Sequence, residues 1–135
     1  MSMQLGAEEL NARADALFNQ FKMRASDPSG RLLVVGGGTG ANAARFGSAF
    51  DDVHCCDIAL RLLEDSGMSV VQADGRQLPY PDDSMDAAIA VSVIEHVLPF
   101  EDRPRLIAEL VRVTKPTGTV FLQIPNNRFP VQWIK

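Results

Sequence analysis

Four glycines within five positions, Gly36, Gly37, Gly38 and Gly40, close the apolar run LLVV of residues 32–35. Glycine serves where φ is positive or where something must lie against bare backbone. A phosphate, a ribose or an amino-acid tail could be what this stretch receives. Gly36, Gly38 and Ala41 satisfy G-x-G-x-x-G/A, and Asp57 lies 21 residues after Gly36. An acid at that distance suits the hydroxyls of a ribose, so a dinucleotide site is one reading and a tight turn without ligand is another. Asp74, Asp86 and the pair Glu95–His96 are further polar residues set beside apolar runs. An imidazole ordinarily titrates near neutrality and can act as a general base, which makes His96 a catalytic candidate. Cys55 and Cys56 are adjacent and His54 is far from His96, so neither a CxxC pair nor a zinc spacing exists and no metal is expected. Neighbouring residues on a strand point to opposite faces, so the two thiols read as packing groups.

These residues need elements to hold them. Leu10, Ala14, Leu17, Phe18 and Phe21 recur at helical spacing within residues 7–24, and SDPSG at 26–30 ends that helix. Strands are expected at RLLVVG (31–36), DDVHCCD (51–57), MSVVQAD (68–74), DAAIAVSV (86–93) and TVFLQIP (119–125). Helices are expected at GANAARFGSAF (40–50), IALRLLEDSG (58–67) and Glu101–Thr114, the last with Pro104 near its start and KPTG as its stop. GRQLPYPDDSM (75–85) reads as a loop. Strands alternating with helices require crossovers, hence an α/β fold with a doubly wound, mainly parallel sheet behind an N-terminal helix. Ligands in such sheets sit outside the carboxyl ends of the strands, where the strand order reverses. Asp57, Asp74 and the glycines all fall at such ends. Asp86 begins a strand and reads as structural.

A chain of 135 residues suits one domain, divided as an N-terminal helix (1–25), a core (30–126) and an apolar tail (127–135). The net charge is −4, with the acidic excess in the first 100 residues and a mildly basic remainder. That is too weak for a nucleic-acid footprint and favours small-molecule or protein partners. No run of eighteen apolar residues and no basic-then-apolar leader is present, so neither a membrane span nor a signal peptide is expected, and the cytoplasm is the default location.

Gly36, Gly38 and Gly40 also give G-x-G-x-G, and the chain continues with VVQADGRQLPYPDDSMDAAIAVSVIEHV and AELVRVTKPTGTVFLQIPN. Over residues 30–126 this resembles the type 11 group of class I S-adenosylmethionine-dependent methyltransferases. The counterparts are Asp74 after strand three, the LPYPDD loop, Asp86 at the start of strand four, and RVTKPTG before strand five. The resemblance implies a Rossmann-like fold, S-adenosylmethionine as cofactor and methyl transfer to a small-molecule acceptor. PNNRFP after strand five faintly resembles relatives acting on lipid or glycan intermediates. The resemblance places Gly36, Gly38 and Gly40 against the methionine and ribose portions and Asp57 on the ribose hydroxyls. It places Asp74 on the adenine amino group, the Gly75 N–H on a ring nitrogen, Ile58 and Leu78 over the adenine faces, and Ser92 near the methyl group. A carboxylate suits the ribose because it accepts two charge-assisted bonds side by side.

The chain departs from the pattern twice. Val34 stands where family members carry an acidic residue toward the methionine end, and losing a hydrogen bond to a charged group costs about 1.5–3 kcal/mol, or roughly 10- to 150-fold in affinity. The family sheet has seven strands, whereas five are legible here, so truncation after the fifth is expected. An uncovered fifth strand would present unpaired backbone groups, which the tail, a second copy of the chain or another partner would have to cover. A homodimer through this region is one expectation. A non-catalytic relative with weak nucleotide binding and an NAD-type dinucleotide protein remain the alternatives to a methyltransferase.

Overall fold

A computed structural model of the chain describes residues 6–25, 27–36, 40–58 and 69–124, together with the backbone of 132–133. The elements are α1 (Ala7–Arg24), β1 (Arg31–Val35), α2 (Ala41–Gly47), β2 (Asp52–Asp57), β3 (Ser69–Gln72), β4 (Met85–Val91), α3 (Arg103–Val113), β5 (Thr114–Gln123) and β6 (Gln132–Trp133). The sheet order is β3-β2-β1-β4-β5-β6, with β1 through β5 parallel and β6 antiparallel to β5. Because β1 pairs with both β2 and β4, the strand order reverses between β1 and β4. The helix expected at 58–67 lies, from residue 59 onward, outside the described residues.

Alternation along the strands feeds two cores. Leu33, Val35, Cys56, Ala88, Ala90, Val120 and Leu122 face α3, where Leu106, Leu110 and Val113 are buried at helical steps. Leu32, Val34, Cys55, Ala87, Ile89 and Phe121 face the other way, onto Phe18 and Phe21 of α1 and Ala43 and Phe46 of α2. Phe46 has ring centroids 5.3 Å from Phe18, 5.4 Å from Phe21 and 5.8 Å from Phe121. Each such ring contributes roughly 1.5–3 kcal/mol by leaving water, so the N-terminal helix belongs to the fold. The adjacent cysteines split between the two cores, as strand geometry requires. Burial pushes the Cys55 thiol up to about 11 and the Cys56 thiol up to about 12.

The last crossover differs from the expectation in detail. A 3-10 turn at Phe100–Asp102 precedes α3, which therefore starts at Arg103. KPTG does not separate helix from strand. Instead β5 begins at Thr114 opposite Met85 and bulges out before regaining register at Ala87↔Thr119. Asp86, beside the bulge, accepts the Arg31 N–H at 2.7 Å and pairs with Lys115 at 3.1 Å, which fits its structural reading. The tail strand pairs Gln132 with Leu122 and Trp133 with Phe121, covering part of the edge of β5. Among the described residues no helix is long and apolar enough to cross a membrane.

Candidate functional site

The carboxyl ends of β1, β2, β3 and β4 open onto a cavity of about 300 Å³. Gly36, Asp57, Ile58, Asp74, Gly75 and His96 all border it. The first of these ends β1 with φ +69°, and its N–H donates to the Cys56 carbonyl at 2.7 Å. A Cβ at this position would stand 2.5 Å from Cγ2 of Val93. Glycine is therefore required by the turn itself and by the segment leaving β4. Asp57 ends β2, with its carbonyl accepting the Ala73 N–H at 3.1 Å. Ile58 follows it with 65% of its surface exposed, an apolar side chain held at the cavity's edge. Gly75 lets the chain pass over the core, because a Cβ there would meet Cδ1 of Leu106 at 2.6 Å. His96 closes a 3-10 turn, Ile94–His96, and is exposed on the cavity's rim.

Three expected site residues fall elsewhere. Leu78 is only 4% exposed and packs in the core beneath α3. Its N–H donates to Glu109 at 2.8 Å and its carbonyl accepts from Arg112 at 3.1 Å. Ser92 has φ +57° and ties β4 to β5, its N–H and hydroxyl donating to the main-chain and side-chain oxygens of Gln123, both at 3.0 Å. Gly40, with φ +89°, starts α2 beside a different depression formed with Leu10 and Asn11. Gly38 lies outside the described residues.

The LPYPDD loop is a clamp. Arg112 pairs with Glu109 at 2.7 Å and Asp82 at 2.8 Å while donating to the carbonyls of Leu78 and Tyr80. The guanidinium of Arg112 holds the Glu109 carboxyl below its ordinary range. By fixing this loop on α3, the cluster sets where the preceding turn, Asp74–Arg76, can stand.

That turn carries a residue the sequence reading passed over. Arg76 donates from its main-chain N–H and Nε to Oδ1 of Asp74, and from Nε and Nη2 to Oδ2, at 2.6–3.1 Å. Its Nη1 reaches Asp102 at 2.8 Å and the Leu98 carbonyl at 3.1 Å. The side-chain bonds from Arg76 hold the Asp74 carboxyl below its ordinary range. Val93, Val97 and Leu98 complete the wall on that side, Leu98 being 71% exposed. The only sequence signal for Arg76 was an arginine two positions after an aspartate in a turn. Val34 is 2% exposed within the α1–α2 core, so β1 sends no carboxylate from that position. Among the described residues no cluster of His, Cys, Asp or Glu could hold a metal ion.

A cavity at the strand-order reversal, beside a glycine turn and an acid ending the next strand, lies where open α/β sheets hold their ligands. The profile of the type 11 family described as a methyltransferase domain matches residues 33–122, and the chain belongs to that family. It is 36% identical over 101 residues to a tRNA (carboxymethyluridine(34)-5-O)-methyltransferase of Arabidopsis thaliana, covering 72% of this chain and 24% of the relative. It is 40% identical over 107 residues to an uncharacterized methyltransferase of Mycobacterium tuberculosis, covering 70% of this chain and 39% of that one. The chain thus spans 24% and 39% of these two relatives' lengths. Among solved structures, SAM-bound CalS10, an amino pentose methyltransferase from Micromonospora echinaspora, shares the fold with a TM-score of 0.64 at 22% identity, over 88% of this chain and 50% of that one.

Proposed function

We propose that the chain binds S-adenosylmethionine in this cavity and takes part in methyl transfer to a small-molecule acceptor. The observation that carries the reading is the meeting of Gly36, Asp57 and Ile58 on one cavity at the reversal of strand order, in a chain of the methyltransferase domain family. When bound, this cofactor supplies an electrophilic methyl group, whose bond to sulfur breaks with the electron pair passing to sulfur. The bare backbone at Gly36 lets a ligand lie close to the end of β1. Asp57 supplies carboxylate oxygens for ribose hydroxyls, and Ile58 an apolar surface for the base. Holding donor and acceptor in line supplies much of the rate in such a transfer. His96, on the rim, offers an imidazole that can take the proton released by the acceptor.

Exposed Leu98 on the cavity wall, with exposed Phe100 two residues further along the chain and an overall charge of −4, supports an acceptor with apolar character over a polyanion. A chain that keeps this fold but binds the nucleotide weakly is the second reading, favoured by Val34. Calorimetric titration with S-adenosylmethionine, S-adenosylhomocysteine and NAD separates the readings. Binding of the first two alone is expected; silence from all three would favour the second reading, and binding of NAD alone would overturn both. Asp57→Ala should weaken S-adenosylhomocysteine by about 10- to 150-fold, the worth of charge-assisted hydrogen bonds, and an unchanged affinity would remove the ribose assignment. Transfer of a labelled methyl group, assayed in parallel on lipid, glycan and tRNA fractions, then tests the acceptor class. Label entering tRNA alone would refute the small-molecule assignment.

A further inference from the structure

We propose that Arg76 is a positioning residue that clasps the base end of the cavity shut around its ligand, and that Asp74 serves as its counter-ion and not as the acceptor for an adenine amino group. The inference rests on the nucleotide reading above and goes past it, to how the pocket wall is assembled.

The cavity has two walls that come from distant parts of the chain. One is the turn after β3, with Asp74 and Gly75; the other is the segment after β4, with His96, Val97 and Leu98. The last three are separated from Asp74 by more than twenty residues, and the 3-10 turns on either side of Leu98 are each only three residues long. Short 3-10 turns hold themselves weakly. Arg76 joins the two walls, with Nε and Nη2 on Asp74 and Nη1 on Asp102 and on the Leu98 carbonyl. Arg103 adds a second tie inside the same segment, donating to the Glu95 carbonyl at 2.9 Å.

A carboxylate offers about four lone-pair directions. At Asp74 three N–H groups of Arg76 take up the two oxygens, the main-chain N–H on Oδ1, an Nη2–H on Oδ2 and the single Nε–H shared between them. An amino group arriving at Asp74 would compete with a two-pronged guanidinium pair, the stronger kind of bond. Arginine is specifically suited here, because its planar fork can grip one carboxylate while a third nitrogen reaches another; lysine has only a point charge. Recognition of the base then falls to shape, between exposed Ile58 at the end of β2 and exposed Leu98 in the segment after β4, whose carbonyl Arg76 holds.

The test uses Arg76→Lys, Asp102→Asn and Asp74→Ala, titrated by calorimetry with S-adenosylhomocysteine and with its inosine analogue, in which a carbonyl replaces the amino group. Asp102 does not border the cavity, so its variant touches no ligand. All three variants should weaken both ligands by a common factor of about 1.5- to 5-fold, since the pairs are partly exposed. The ratio between the two ligands should stay at the parent value in every variant. Hydrogen exchange without ligand should show the amides of His96, Val97 and Asp102, each bonded within its turn, exchanging faster in Arg76→Lys. Parent-like affinity and exchange in Arg76→Lys and Asp102→Asn would overturn the clasp. A ratio that collapses in Asp74→Ala alone would restore Asp74 as the reader of the amino group. Failure of the parent protein to bind either ligand would instead overturn the nucleotide reading on which the clasp rests.

Discussion

Substituting Gly36 by alanine separates two reasons for a glycine at the end of β1. If the residue were bare only to admit a ligand, Gly36→Ala would leave folding untouched and spoil binding. The structure demands more. With φ at +69°, an L-residue at this position pays roughly 1–2 kcal/mol for left-handed backbone. The new Cβ would also stand 2.5 Å from Cγ2 of Val93, and overpacking of this kind costs about 1–3 kcal/mol. The total is about 2–5 kcal/mol, a large share of an ordinary domain's stability. Urea unfolding at unchanged m-value measures it. In the Val93→Ala background Gly36→Ala should cost only about 1–2 kcal/mol, because the steric part is relieved and the backbone part remains. A loss below about 0.5 kcal/mol in the single variant would refute the argument. So would a double variant without recovery, which would show that the turn relaxes freely.

Acid should weaken the loop clamp and the turn before it. Asp74, Asp86 and Glu109 all have carboxyls lowered by bonds to Arg76, to the Arg31 N–H and Lys115, and to Arg112 respectively. A lowered folded-state value means these groups stabilise above the ordinary carboxylate range, and that share is lost as pH falls through their depressed values. Unfolding followed between pH 7 and pH 2 should therefore show stability falling on the acid side, less steeply in Glu109→Gln; an identical slope would separate Glu109 from the effect. Thiol titration should find Cys55 and Cys56 inert in the folded protein at pH 8, because burial raises both thiols and the thiolate is the reacting form. Both should react fully in denaturant. Rapid labelling of the native protein would place at least one sulfur nearer to solvent than the two cores allow.

Much of this site was legible because strand ends can be read locally. A β-strand's apolar run stops where its backbone leaves the sheet, so Gly36, Asp57 and Asp74 could be placed at carboxyl ends before any fold existed. The alternation of strands and helices likewise determined the parallel sheet, and adjacency alone sent Cys55 and Cys56 to opposite faces. Loop residues carried no such periodic signal. Leu78 looked like a cover for a base, yet α3 draws it into the core through Leu106 and the Arg112–Glu109 clamp. Ser92 looked close to the chemistry, yet Gln123, 31 residues onward, takes its hydroxyl.

What the sequence alone determined was therefore the order of elements and the positions where they end, because backbone periodicity and turn chemistry act between near neighbours. Which side chains share a wall was decided only by the tertiary structure. Arg76 reaches Asp102 across 26 residues, and a guanidinium selects its carboxylates by distance and direction in space, which no spacing along a chain encodes.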